Sequence, residues 1–267
     1  MKVDGKRRRQ EKREQKISNA QTINKEMQFN LHKLRIPALS IVNSSQKFEV
    51  HRIYCIGRNY REHAIEMGHD PDREEPFFFQ KPPDAAFSTT ITSQVPYPSA
   101  THDLHHEAEL VVALKDGGSN ISIEEASSCI FGYALGCDLT RRDLQSKAKG
   151  MRRPWDTAKG FDFSAPCGEI WPKKDPSSTS TDDLKGCSLE CRVDGSLRQK
   201  ADCTNLMIWS IEETISTLSK YFQLSSGDLI MTGTPAGVSS LEIGNKVEIT
   251  CGPLPECSFS MAERGIN

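Results

Sequence analysis

Two acids stand two residues apart at the head of the run Glu107-Ala108-Glu109-Leu110-Val111-Val112-Ala113-Leu114. On a β-strand, positions i and i+2 share a face, so Glu107 and Glu109 point the same way. Carboxylates held side by side at the mouth of an apolar strand repel, and a divalent cation between them relieves the repulsion. The pair alone reads more readily as a solvated strand face. A third oxygen ligand is available in Asp138, a lone acid closing the apolar, glycine-containing run Ala134-Leu135-Gly136-Cys137. Burying that charge unpaired would be expensive. Three carboxylates with their remaining coordination positions open to water suit Mg2+, Mn2+ or Ca2+. His105 and His106 come just before and suggest zinc. Adjacent strand residues face opposite ways, so at least one of them is expected to pack or to support the site rather than bind.

Three further clusters carry chemistry. His63 and Glu66 lie at i and i+3 in Tyr60-Arg61-Glu62-His63-Ala64-Ile65-Glu66, on one face of a short helix. A carboxylate that fixes the imidazole tautomer makes a general base, and a casual surface contact is the other reading. Arg141, Arg142 and Gln145 precede the run Trp155-Asp156-Thr157-Ala158-Lys159-Gly160-Phe161. Lys159 there is either an anion or oxyanion partner or a snorkelling surface lysine. Last comes Met231-Thr232-Gly233-Thr234-Pro235-Ala236-Gly237-Val238, a strand running into a glycine-rich turn. Free backbone N–H groups in such a turn can cradle a carboxylate, or the turn is only a tight reversal.

The elements that must position these groups are mostly short strands. β-like runs cover Arg52–Ile56, Leu110–Leu114, Leu189–Val193, Leu229–Thr232 and Lys246–Thr250, separated by turn signals. Asp194-Gly195 predicts a hairpin. Helical periodicity is confined to Tyr60–Met67, Ile123–Ile130, Arg141–Lys149 and Met207–Tyr221. Lys173–Lys185 reads as a Ser/Thr/Asp/Pro-rich surface loop. No regular strand–helix alternation and no GxGxxG occur, so the expected class is α+β, mainly β, without a doubly wound sheet. The core is expected over 48–267, preceded by a polar extension over 1–47 whose first 16 residues are dense in Lys and Arg.

Bulk composition excludes more than it assigns. The chain has 267 residues, 36% of them hydrophobic, and a formal net charge of -2. That balance gives no electrostatic case for nucleic acid or membrane partners. No apolar run is long enough to span a bilayer, and no secretory apolar segment opens the chain. The nine cysteines contain no CxxC pair and read as reduced thiols, as expected of an intracellular protein.

Taken in order, the motifs resemble the fumarylacetoacetate hydrolase family. The matching residues are Ile56-Gly57-Arg58-Asn59-Tyr60, Gln80-Lys81-Pro82, His105 through Leu110, Gly132-Tyr133-Ala134, Asp138 through Gln145, Lys159-Gly160-Phe161-Asp162 and Thr232 through Val238. The resemblance spans about residues 50–262. The His-x-x-Glu at 63 and 66 points to the acylpyruvase and oxaloacetate decarboxylase branch. It implies a mixed β-roll or sandwich with few short helices, a homodimer, and Mg2+ or Mn2+ at the active site. It places the metal on Glu107, Glu109 and Asp138, and the catalytic roles on His63, Glu66 and Lys159. It places substrate binding on Arg58, Arg142, Gln145 and Thr234. The implied reaction cleaves a C–C bond in a small 2-oxo acid, by acylpyruvate hydrolysis or oxaloacetate decarboxylation, through a pyruvate enolate held at the metal. Alternatives are a 2-hydroxyhepta-2,4-diene-1,7-dioate isomerase or 2-keto diene hydratase, and an oxaloacetate tautomerase. A binding module led by the basic tail is the non-enzyme alternative. The compartment, mitochondrial or cytoplasmic, stays open.

Overall fold

The strand that carries Glu109, Ala108–Leu114, is buried along its whole length because it lies mid-sheet with apolar layers on both faces. The computed structural model describes residues 36–68, 74–175 and 177–263. Its eight-stranded sheet includes, in order, Phe78–Lys81, Arg52–Ile56, Asp228–Met231, Ala108–Leu114, Ile130–Cys137, Ala165–Cys167 and Ala86–Ser88. Arg52–Ile56 runs parallel to Asp228–Met231, while Ala108–Leu114 is antiparallel to both of its neighbours. Alternation sorts the side chains. Leu110, Val112 and Leu114 face one core with Tyr54, Tyr133 and Ile230; Val111 and Ala113 face another with Ile53, Cys55 and Met231.

The first core is closed by a second, five-stranded sheet and by the helix Ile211–Tyr221. In that sheet Ser188–Val193 and Ser196–Asp202 form the expected hairpin. Asp194 and Gly195, at φ 49° and 77°, both take the left-handed turn that matches strand twist. The fold is α+β and mainly β, as the sequence pattern predicts. All nine cysteines are free and all but Cys187 are buried, which fits small apolar packing residues.

Three expectations move. Residues 36–47 belong to the compact unit that starts at Ile36, so the core expected from residue 48 takes in twelve more residues. Ala38–Ser40 pairs with Lys47–Glu49 and sends Leu39, Ile41 and Phe48 into the second core. A few well-spaced apolar residues in a polar stretch suffice for that. The basic stretch over 1–35, and the flexible-extension reading of it, lies outside the described residues. The Lys173–Lys185 loop contains one helical turn, Ser180–Asp183, started by a Thr179–Asp182 capping box. The last long helix starts at Ile211 instead of near Met207, because Ser210 and Glu213 cap it there. Among the described residues, no helix is long and apolar enough to cross a membrane.

Candidate active site

Sheet register brings the acids together. The strand Ile130–Cys137 ends where its antiparallel partner Ala108–Leu114 begins, with Ala108 opposite Cys137. The Asp138 N–H then donates to the Glu107 carbonyl at 2.8 Å. The strands Arg52–Ile56 and Asp228–Met231 end at the same edge, so Gly57–Tyr60 and the glycine-rich turn emerge beside the acids. Glu107 itself sits in the irregular residue between the strands Leu104–His106 and Ala108–Leu114. Its carboxylate still joins that of Glu109. Carboxylate oxygens of Glu107, Glu109 and Asp138 lie within 4.8 Å of one another, all on buried residues.

Buried cations compensate two of the three acids. Lys159 Nζ donates to Glu107 Oε2 at 2.7 Å, Asp138 Oδ2 at 2.6 Å and Thr140 Oγ1 at 2.7 Å. Arg142 donates to Glu107 Oε1 at 2.5 Å and to Gln145 Oε1 at 2.6 Å. Lys81 Nζ stands 2.7 Å from Asp138 Oδ1. That contact is an ion pair without hydrogen-bond alignment, and it leaves Oδ1 buried with no hydrogen bond. Burial pushes the Glu107 carboxyl up, but Lys159 and Arg142 outweigh it and hold the group well below the usual carboxylate range. Burial lowers the Lys159 ammonium, yet Asp138 and Glu107 more than reverse this. Glu109 makes no ion pair among the described residues. Burial first, then Asp138 and Glu107, push its carboxyl well above the usual range. It accepts one backbone hydrogen bond, from Gly233 N–H at 2.7 Å.

These residues fit a hard divalent cation. The donors are carboxylate oxygens only, Glu109 has no cation paired with it among the described residues, and one buried Asp138 oxygen has an unspent lone pair. Neither histidine joins the cluster. His106 is buried between Gln199 and Ser239, at 2.9 Å from each, and His105 contacts Asp103 at 2.8 Å. Both therefore pack and support, as their alternation on the strand predicts for at least one.

The helix Arg61–Glu66 closes over this edge. Asn59 anchors its start, donating to the carbonyls of Trp209 at 3.0 Å and Thr232 at 2.9 Å. His63, only 6% exposed, turns Nδ1 to Glu66 Oε2 at 3.1 Å. Nε2 is then the ring nitrogen left to take a proton. The glycine-rich turn does cradle carboxylates, but they are the protein's own. Gly233 N–H holds Glu109, and Gly237 N–H reaches Glu66 Oε1 at 3.0 Å. Gly237 has φ +97°, and a Cβ there would lie 1.9 Å from the Arg198 carbonyl oxygen, so only glycine fits.

A narrow cavity of about 40 Å³ joins these groups. Every sequence-predicted site residue except Glu66 lines it, and Glu66 stands behind His63. Two of these side chains are already engaged within the protein. All three Lys159 protons are directed at Glu107, Asp138 and Thr140, so Lys159 positions the acids before it can meet an oxyanion. The Thr234 hydroxyl donates to the Ala108 carbonyl at 2.8 Å and accepts from Gln199 Nε2 at 2.7 Å, which fixes the turn at the cavity wall. Sequence reading gave no role to Lys81 or Gln199. Lys81 is a lone cation ending the apolar strand Phe78–Lys81, the same signal that singles out Asp138. Gln199 has no such signal, because strand Ser196–Asp202 is otherwise ordinary and partly exposed.

Residues 52–261 match the family description fumarylacetoacetate (FAA) hydrolase C-terminal. The chain is 38% identical over 201 residues to the mitochondrial oxaloacetate decarboxylase of Dictyostelium discoideum, covering 75% of this chain and 88% of that protein. It is 38% identical over 183 residues to the fumarylpyruvate hydrolase of a Ralstonia species, covering 68% and 91%. The crystal structure of the Pseudomonas aeruginosa fumarylpyruvate hydrolase in complex with Mn2+ and pyruvate superposes with a TM-score of 0.80 at 42% identity, over 88% of this chain and 99% of that one. On both the length of the match and the identity to these relatives, the chain is an enzyme of the fumarylacetoacetate hydrolase family.

Proposed function

We propose that this enzyme cleaves a C–C bond in small 2-oxo acids, by hydrolysing acylpyruvates and by decarboxylating oxaloacetate. The observation that carries the reading is that His63, backed by Glu66, and the Glu107–Glu109–Asp138 triad line one narrow cavity. The relatives named for fumarylpyruvate hydrolysis and oxaloacetate decarboxylation support it. Mg2+ or Mn2+ held by the triad would supply Lewis-acid stabilisation of the negative charge that develops on the 2-oxo acid.

The chain's own residues do the rest. Glu66, fixed by Gly237, orients His63. His63 takes the proton of a water that attacks the distal carbonyl of an acylpyruvate. The C–C bond breaks, its electron pair passes to the pyruvate fragment, and that enolate is protonated to pyruvate beside the released acid. Lys159 and Arg142 keep Glu107 ionised and in place. Oxaloacetate needs no water, since CO2 leaves and the same enolate remains. The helix Arg61–Glu66 brings His63 to the wall of this narrow cavity. Opening of this helix would admit the substrate, and its return would exclude bulk water.

A substrate panel tests the reading: acetylpyruvate, fumarylpyruvate and oxaloacetate, each with and without Mg2+ or Mn2+. Metal-dependent pyruvate release from at least one acylpyruvate is expected. Keto–enol interconversion of oxaloacetate with no pyruvate released from any substrate would contradict it and favour the tautomerase alternative.

A further inference from the structure

The cavity also holds cations that the chemistry above does not use. Lys149 and Arg58 both line it, together with Phe77, Phe79 and Trp155. Each cation stands on a ring: Lys149 Nζ lies 5.0 Å from the Trp155 centroid, and the Arg58 guanidinium lies 5.0 Å from that of Phe77. The two rings meet edge to face at 5.6 Å, so both cations stand on one aromatic wall. Among the described residues, no acid pairs with Lys149. Arg58 has only a 3.6 Å contact to Glu74, which is 64% exposed, and such a surface pair contributes little. Arg58 Nε is buried with no hydrogen-bond partner. Arg58 also sits at φ +55°, a left-handed conformation that a non-glycine residue adopts at a cost. Burial, followed by repulsion from Arg142 and Arg58, lowers the Lys149 ammonium below its ordinary range. Two unneutralised cations facing one cavity favour an anion there.

The helix Arg142–Gly150 sets the spacing. Arg142, Gln145 and Lys149 lie at i, i+3 and i+7, on one face. Arg142 meets Glu107 at the triad, and Lys149 comes two turns later, about 10 Å along the axis. A ligand anchored at the triad by its 2-oxo acid end therefore reaches Lys149 with its other end. Between them it passes Phe77, Phe79 and Trp155, whose faces suit a flat, unsaturated chain.

We propose that Lys149 and Arg58 form a second anion subsite, which takes the distal carboxylate of a dicarboxylic 2-oxo acid whose planar chain lies against Phe77, Phe79 and Trp155. The proposal rests on the 2-oxo acid reading above and narrows it from acylpyruvates in general to those ending in a carboxylate.

The test compares kcat/KM for fumarylpyruvate, which ends in a carboxylate, with kcat/KM for acetylpyruvate, which does not. In K149Q the ratio of the two should fall about ten-fold or more, with the loss expressed in KM for fumarylpyruvate. K149R keeps the charge and should hold the ratio within about three-fold of the wild type. A K149Q ratio within about two-fold of the wild type, or equal losses on both substrates, overturns the subsite. A binding measurement separates this from the reading beneath it. Calorimetry on Mn2+-loaded protein should show 2-oxoadipate binding more tightly than 2-oxohexanoate, and K149Q should erase that preference. If the wild type cleaves neither acylpyruvate, the cleavage reading fails while the binding preference still decides the subsite. If the wild type binds both ligands alike, the subsite fails whatever the turnover.

Discussion

The backbone N–H of Gly237 donates to Glu66 Oε1 at 3.0 Å, so the turn after strand Asp228–Met231 latches the helix that carries His63. One link fixes the closed helix, the Glu66 carboxylate and the imidazole together. Gly237→Ala forces the turn off the Arg198 carbonyl and breaks the latch. Gly237→Ala and Glu66→Ala should each lower kcat for acylpyruvate hydrolysis about ten-fold or more. Because both act through one contact, the double variant should be no slower than the slower single variant. Multiplying losses in the double variant would separate Gly237 from the dyad.

In the proposed chemistry His63 acts on water, and only hydrolysis uses water. His63→Ala should therefore cut acylpyruvate hydrolysis about a hundred-fold or more, and cut oxaloacetate decarboxylation far less. Steady-state rates on the two substrates under one set of conditions check this. Equal losses would remove His63 from the role of water base.

Lys81 neutralises Asp138 from below, in a layer where neither side chain meets solvent. Lys81→Met leaves that carboxylate buried with only Lys159 beside it. The metal-free variant should lose about 3–5 kcal/mol of stability. Added Mn2+ should recover part of this by binding the folded state. Thermal melts of chelated and metal-loaded protein give both values. An unchanged chelated melt would mean that Lys81 is dispensable to the buried network.

His106 gives the fold an acid limit. Burial dominates its hydrogen bond to Gln199 and lowers its pKa from 6.5 to about 4. The unfolded chain takes up this proton at a higher pH than the folded one. The stabilisation is therefore complete above about pH 6.5 and is lost as pH falls toward about 4, a change of roughly 3 kcal/mol. Denaturant unfolding across that window should show the wild type losing more stability than His106→Gln. Parallel slopes for the two proteins would place the acid sensitivity elsewhere.

The sequence made the chemistry legible where a residue type clashed with its surroundings. Asp138 at the end of an apolar run, Glu107 and Glu109 two residues apart at the head of an apolar strand, and His63 three residues before Glu66 all stand out for that reason, and the structure brings them together. The strand Arg52–Ile56 and the Asp194-Gly195 hairpin were legible from local pattern, since turn chemistry and alternation are local. What pairs with what was not. That Lys159 spends its protons on two acids and Thr140, and that the glycine-rich turn grips Glu66 and Glu109, depends on sheet register between distant strands. The hairpin Ala38–Ser40 with Lys47–Glu49 escaped because its buried residues are too few to interrupt a polar stretch.

The central claim, that Glu107, Glu109 and Asp138 hold the cation this chemistry needs, is tested most directly by one reconstitution. Pyruvate release from an acylpyruvate is followed in a single preparation as isolated, after chelation, and after Mn2+ is added back, in the wild type and in Glu109→Ala. Chelation should abolish wild-type turnover, and Mn2+ should restore it. Glu109→Ala should stay inactive at Mn2+ levels that saturate the wild type, with affinity weakened beyond the about ten- to hundred-fold typical of losing an outer partner of a metal site. Full turnover after chelation, or wild-type activity in Glu109→Ala, would contradict the claim.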